Sequence, residues 1–293
     1  MTAPHRGIDT TANLAFTPQS GISHAAMLAA NGVTHASRYL RAGGITKAEA
    51  DAIRAAGINL ILNFEGAGDH ISAFSAATGT RDGAASRARA EAMGAPPGTA
   101  IYFSCEPDQR FGAFSLTADY TARILPYYRA AKAALDPYRM GAYSFGTWLN
   151  RLLADGAIEF CWLPNATGWA GYHEFLASNK WHYLQRLPSN VNFNGLLVDW
   201  DDVNPAFADI GAWAPSGQPP VVIPPDDHPL LKRGARGPAV EQLQQLLGIQ
   251  ADGQFGPITE KAVKDFQTSH GLKVDGLVGP LTWAALQEQR QGV

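Results

Sequence analysis

The chain has 293 residues, 46% of them hydrophobic and 17% charged, enough for two globular domains. Its net charge of −3 argues against bulk electrostatic binding to nucleic acid or acidic membranes. Its two cysteines, Cys105 and Cys161, are too few for a disulfide scaffold and stand in no zinc-ligand spacing, so they read as small buried apolar residues. No apolar run reaches the roughly 18 residues of a membrane span, which predicts no membrane insertion. The opening MTAPHRGIDTTANLAF lacks a basic segment followed by an apolar one and does not read as a signal peptide.

Helix and strand signals alternate along the first two thirds. His5–Asp9 reads as a strand, and Ser20–Asn31 as a helix closed by Gly32. Thr34–Leu40 is a second strand. Thr46 and Glu49 form a capping box for a helix over Lys47–Ala56, stopped by Gly57. A strand follows at Ile58–Phe64, then an alanine-rich helix over Asp82–Met93 that ends at Gly94. The stretch Thr99–Asp108, TAIYFSCEPD, begins as an apolar strand and ends in two acids. Leu116–Leu135 reads as a long helix with a kink at Pro126. Then come a strand at Arg139–Ser144, a helix at Thr147–Ala154, a strand at Ile158–Leu163 and a short helix at Tyr172–Ala177. Strands at His182–Leu187 and Leu196–Trp200 and a helical turn over Pro205–Trp213 complete the set. Eight strands interleaved with helices predict an α/β fold, a (β/α)8 TIM-like barrel over residues 1–213. A doubly wound open sheet is the alternative.

Residues 214–227, APSGQPPVVIPPDD, read as a semi-rigid proline-rich linker. Residues 228–293 repeat themselves. Gly-Pro opens a segment at Gly237, at Gly256 and at Gly279, and the turns ADGQFGP and VDGLVGP precede the second and third. Proline at the first position of each helix fits its fixed φ. The prediction is a small all-α three-helix domain with a core of Val240, Leu243, Leu247, Val263, Phe266, Leu277, Trp283 and Leu286. Its paired DG-x-x-GP-x-T turns, with Asp252, Asp275, Thr259 and Thr282, resemble those of the three-helix peptidoglycan-binding module. That resemblance implies bacterial peptidoglycan as the partner.

In a parallel barrel the strand C-termini form the active face. The acids placed there are Asp9, Glu65, Glu106, Asp108, Asp199, Asp201 and Asp202. The bland reading makes them solvated rim residues or ion-pair partners of Arg38 and Arg186. The region also resembles the glycoside-hydrolase-like barrel family of actinobacteria and their phages, itself similar to barrel-type muramidases. The likeness rests on GIDTTAN at Gly7, SRYL at Ser37, KAEADAIRAAGINLI at Lys47, GAPPGTAIYFSCEPD at Gly94, MGAYSFG at Met140, HYLQR at His182 and GLLVDWDDVN at Gly195. The chain departs from the muramidases at Ser104, where they carry the first acid of Asp-x-Glu.

Glycoside hydrolysis commonly needs one protonated and one ionised carboxyl group. Glu106 is the candidate general acid, and Asp9 and Asp199 would hold negative charge against an oxocarbenium-like transition state. Glu65, Asp108, Asp201, Gln185, Tyr102, Tyr143 and Trp162 are candidate substrate contacts. A substrate acetamido group acting as nucleophile would suit a site with Ser104. The resemblance implies a muramidase, expected as a monomer without cofactor or metal. The lack of a signal peptide fits a phage-endolysin-like protein made in the host cytoplasm and released to the wall through a separate pore. The alternatives are a catalytically silent wall-binding protein, and an amidase or peptidase on the same wall. The serine-hydrolase-like Ala142–Gly146 turn needs an acid and then a histidine downstream, and beyond the Asp199–Asp202 acids the only histidines, His228 and His270, fall in the linker and the C-terminal module; Cys105 has no evident partner, and HExxH is absent.

Overall fold

A ring of eight strands, closed upon itself, dominates the computed structural model, which describes residues 6–17, 21–66, 68–215, 231–270, 274–279, 282, 283 and 286. The strands are β1 (Arg6–Asp9), β2 (Val33–Tyr39), β3 (Asn59–Phe64), β4 (Ala100–Cys105), β5 (Arg139–Ser144), β6 (Phe160–Leu163), β7 (Tyr183–Gln185), β8 (Val191–Phe193) and β9 (Leu196–Val203). Strands β1 to β7 run parallel in sequence order. Strand β9 closes the ring between β7 and β1, antiparallel to both. Strand β8 lies outside the ring and pairs with β9 alone.

This corrects the expected all-parallel barrel. Parallel neighbours need a crossover of a dozen or more residues, whereas antiparallel neighbours need only a short connection. The stretch between Gln185 and Leu196 is short and holds a hairpin rather than a helix. Its turn, Asn194–Gly195, has φ of 51° and 84°, the left-handed pair that an Asn-Gly hairpin favours. The last expected element also differs. Residues 205–213 form no helix but an extended strap under the strand starts. Trp213 exchanges backbone hydrogen bonds of 2.8 and 2.9 Å with Leu60, and Ala100 N–H donates to the Gly211 carbonyl at 2.7 Å. Gly211 has φ of 72°, and a Cβ there would sit 2.2 Å from that of Ala100.

Inside the ring, alternate residues pack into one plug of Ile61, Ala100, Tyr102, Phe160, Trp162, Tyr183, Val203 and Ile210. The opposite faces of the strands pack on helices α2 (Lys47–Ala55), α3 (Ala76–Met93), α4 (Leu125–Leu135), α5 (Gly146–Ala154) and α6 (Tyr172–Ala177), which follow α1 (His24–Ala30) in the chain. Helix α3 starts six residues before the expected Asp82. Ser75 and Thr78 form a reciprocal capping box there, and Gly79 and Gly83 give the missed first turns a special use. A Cβ on either would lie 2.3–2.4 Å from a backbone oxygen of α4, Tyr127 O or Ala131 O. The two helices therefore cross with their backbones almost touching. Ahead of α4 the chain is a π-helix over Tyr120–Ile124, in place of a simple proline kink. Wider winding accommodates Pro126, which has no N–H for the regular ladder. At α2, Thr46 caps the Glu49 N–H as expected, but the Glu49 carboxylate lies in a buried ion pair with Arg38 at 2.7 Å.

Residues 14–32 group with the C-terminal residues as a second compact unit. This unit contains α1, α7 (Pro238–Leu246) and α8 (Pro257–Ser269), both of the latter opening on Gly-Pro. Residues 282, 283 and 286 are helical, while the rest of the expected third helix and most of the linker lie outside the described residues. The core is Leu231, Val240, Leu243, Phe255, Val263, Phe266, Val278, Trp283 and Leu286. Leu277, expected in it, is 38% exposed, and its neighbour Val278 is buried instead. A backbone bridge between Leu231 and Val278 fixes which of the two points inward.

The repeated turns are tied by two glutamines that stand in the same place in each repeat. Gln244 accepts from Gly253 N–H at 2.9 Å and donates to Asp252 at 2.7 Å and Thr259 at 3.0 Å. Gln267 accepts from Gly276 N–H at 2.9 Å and donates to Asp275 at 3.1 Å and Thr282 at 3.4 Å. Both glutamines are buried, so these bonds replace water for the whole turn.

Gly83→Val should lower stability by roughly 2 kcal/mol or more, because the helix crossing has no room for the side chain. Urea unfolding followed by far-UV circular dichroism checks this.

Candidate active site at the barrel mouth

Reversal of β9 sets where its acids fall. Asp199 pairs in register with Asp9 at the upper end of β1, while Asp201 pairs with Gly7 two positions deeper. Only Asp199 of the three β9 acids thus reaches the level of the β1 acid. Asp201 points into the barrel, is 1% exposed, and accepts from the Trp162 indole N–H at 3.0 Å. Burial pushes its carboxyl well above the ordinary range, and the nearby Asp9 pushes further. Asp202 is held by Arg186 at 2.7 Å.

Asp9 itself is 6% exposed. Its carboxyl is pushed up to about 7, first by burial and then by the charge of Asp199, with a hydrogen bond from Gln185 opposing. The Gln185 amide is the link between the two acids. Its Nε2 donates to Asp9 and to Asp199 at 3.2 Å each, and its Oε1 accepts from the Tyr143 hydroxyl at 2.9 Å. The other oxygen of Asp199 accepts from the Asn190 backbone N–H, which ties the β8–β9 hairpin to the mouth. On the outer side of β2, the buried Arg38 guanidinium holds the Thr10 carbonyl and Glu49 of α2. Arg38 is therefore committed to Glu49 rather than to a mouth acid.

Glu106 follows β4 directly. Its backbone N–H donates to Gly68 O at 2.9 Å, which fixes the turn. Its carboxyl is pushed up to about 7 by burial first, then by Glu65, Asp69 and Asp9. Two positions back, Ser104 is buried and donates to Asn63 at 3.3 Å. A cleft of about 1100 Å³ opens beside Glu106, and Glu65, Asp69, Asp108, Arg41 and Arg110 also line it. Glu65 pairs with Arg41 at 3.4 Å. Asp108 pairs with Arg110, which holds its carboxyl below the usual range, and it caps the short turn after it.

Several expected substrate contacts lie elsewhere. Tyr102 is wholly buried, and its hydroxyl donates to Ile210 O at 2.7 Å at the closed end of the barrel. Trp162 is 1% exposed inside the plug, bonded to Asp201. Neither ring, nor Asp201, can reach a ligand in the cleft. The parity of β4 and β6 points these residues inward, and the plug fills the space above them. Cys105 and Cys161 are free and buried, and the Ser144 hydroxyl donates to Cys105 O. Among the described residues, no group of three or more His, Cys, Asp or Glu side chains is placed to hold a metal ion. No described helix is long and apolar enough to cross a membrane.

The sequence reading did not single out the aromatic wall of the cleft. Phe114, Phe145 and Trp169 line it together with the acids. They come from three different strand-to-helix connections, so no local spacing announces them.

Comparison with known proteins gives two family matches. Residues 24–203 match the Rv2525c-like, glycoside hydrolase-like domain. Residues 236–286 match the putative peptidoglycan binding domain. The crystal structure of the Mycobacterium tuberculosis Tat-secreted protein Rv2525c in complex with L-tartrate superposes with a TM-score of 0.55 at 22% identity, covering 72% of this chain and all of that one. The HEPES complex of the same protein gives 0.53 at 21% identity, covering 72% and 99%. These likenesses concern the fold. The uncharacterized protein YbfG of Bacillus subtilis strain 168 is 26% identical over 167 residues, 54% of this chain and 22% of YbfG, so the match spans about a fifth of that relative.

Asp9 binds more protons in the folded than in the unfolded chain between about pH 4 and 7, so its contribution to stability is lost as pH rises through 7. Asp9→Asn should therefore stabilise the protein at pH 8, by about 2–4 kcal/mol, and much less at pH 4. Thermal melts of both proteins across that range check the sign.

Proposed function

We propose, from the premise that the chain belongs to the Rv2525c-like, glycoside hydrolase-like family and carries a peptidoglycan-binding domain, that it hydrolyses the glycan strand of bacterial peptidoglycan. The observation that carries this reading is Glu106: a carboxyl raised to about 7 at the edge of a large cleft, with other acids in electrostatic reach. A carboxyl with that pKa holds a proton at neutral pH and still gives it up readily. Glu106 would protonate the glycosidic oxygen as the bond to the anomeric carbon breaks. The Asp9–Asp199 pair, which Gln185 holds together, does not line the cleft, and its field would act from behind Glu106 on positive charge developing on the sugar ring. The N-acetyl oxygen of the sugar would attack the anomeric carbon and water would later open the ring so formed, a route that needs no enzymic nucleophile at Ser104. The bond cut would be the one after N-acetylmuramic acid, making the protein a muramidase. Tethering by the peptidoglycan-binding domain would raise the concentration of the barrel at its polymer. The place of action would be the cell wall, with release of a phage-endolysin-like protein through a separate pore.

A second reading, a wall-binding protein that cuts nothing, is favoured by Ser104, which hydrogen-bonds Asn63 where muramidases carry an acid. Turbidity loss of purified walls and the new chain ends separate the readings. Reducing sugar marks glycan cleavage, free amine marks an amidase or peptidase, and neither marks a silent binder. Glu106→Gln should abolish lysis, at least about 100-fold, and leave wall pull-down intact. Equal lysis by the variant would remove Glu106 from the mechanism.

The rate should peak near pH 7. It falls above because Glu106 loses its proton, and below because Asp9 gains one. Asp9→Asn should flatten the acid limb and move the alkaline one to somewhat lower pH, because the Asp9 charge helps hold the Glu106 carboxyl up, as a pH profile of lysis would record.

A further inference from the structure

The cleft is lined by two unlike sets of side chains. One is Glu65, Asp69, Glu106 and Asp108, with Arg41 and Arg110 paired to two of them. The other is the rings of Phe114 and Trp169. Both rings are half-buried, so each keeps an accessible part. Between them sits Phe145, 5% exposed, with ring centroids 4.5 Å from Trp169 and 5.8 Å from Phe114. Trp148 backs the group, 5.0 Å from Phe145 and 5.8 Å from Phe114.

The backbone around these rings is pinned. Trp169 N–H donates to Ala166 O at 2.8 Å, Trp169 O accepts from Tyr172 N–H at 3.1 Å, and Ala170 O accepts from Thr147 N–H at 3.1 Å. Gly146 permits this clasp, because a Cβ there would sit 2.1 Å from Gly171 O. On the other loop, the Trp148 indole N–H donates to Leu116 O at 2.8 Å. The rings therefore sit on loops fixed before any ligand arrives, and binding would lose little conformational entropy.

We infer that Trp169 and Phe114 form a stacking platform for a neutral N-acetylhexosamine ring beside Glu106. A pyranose presents C–H groups on its faces and hydroxyl and amide groups at its edge. The rings match the face, and the acids and arginines of the same cleft match the polar edge. Charge selects the sugar. With Glu106 protonated, Glu65, Asp69 and Asp108 still outnumber two arginines that are both already paired, so an anionic sugar would meet net repulsion. This inference rests on the glycan reading of the same cleft and names the part of the polymer bound there.

The experiment is calorimetric titration of chitotetraose, a soluble neutral N-acetylglucosamine oligomer, into the full-length chain carrying Glu106→Gln to prevent turnover. Adding Trp169→Ala should weaken binding roughly tenfold, Phe114→Ala should weaken it measurably, and Trp169→Phe should restore most of it. Circular dichroism melts of each variant show whether the fold is kept. Unchanged affinity in folded Trp169→Ala, or tighter binding of a polyuronate oligomer than of chitotetraose, would overturn the inference. The glycan-hydrolysis reading fails separately: walls that yield no reducing ends with the unmodified protein sink it, while the titration still judges the platform.

Discussion

The antiparallel insertion of β9 between β7 and β1 is the constraint on which the mouth depends. It closes the ring, and its register with β1 puts Asp199 beside Asp9. Two like charges at neighbouring strand positions repel, and the Gln185 amide between them offsets part of that cost. The same register sends Asp201 into the apolar plug, where the Trp162 indole meets one of its oxygens. A parallel eighth strand would have carried all three acids towards the mouth.

Most charges around the mouth are already engaged. The buried Arg38 is paired with Glu49 of α2. Asp9 and Glu106 then sit where burial and neighbouring acids act in the same direction. Arg186 takes Asp202, and Arg41 and Arg110 take Glu65 and Asp108 at the rim. Two carboxyls remain poised near neutrality while those around them are engaged. That separation is what proton transfer at an acetal would require, and it is the physical content of the proposed chemistry.

The second unit shows a different economy. Its turns are held by buried glutamines rather than by a large apolar core, and each glutamine satisfies both sides of its turn. The aspartate, glycine and threonine of the repeated motif are thereby committed to the fold. Contacts with wall polymer would have to come from other side chains of the unit.

The strand and helix order was legible from apolar runs and glycine stops, because those signals are local. The Asn194–Gly195 turn is equally local and marks the hairpin, yet the alternation of strands with helices along the rest of the chain predicts a parallel barrel. Strand direction depends on which neighbour a strand finds, and single segments carry no record of it. The acids at Asp9 and Glu106 could be named from the ends of their strands; which acids share a field could not. Tyr102 and Trp162 fit either a sugar contact or core packing by sequence, and the plug that fills the barrel settles both as packing. Phe114 and Trp169 were overlooked because their loops meet only in space. The amino-acid order by itself determined the alternation of elements, the repeated C-terminal turns and the supply of acids, all properties of neighbouring residues. The tertiary structure alone decided the direction of the closing strand, the upward push on the Asp9 and Glu106 carboxyls and the mixed lining of the cleft, since burial and electrostatic coupling exist only once distant segments pack together.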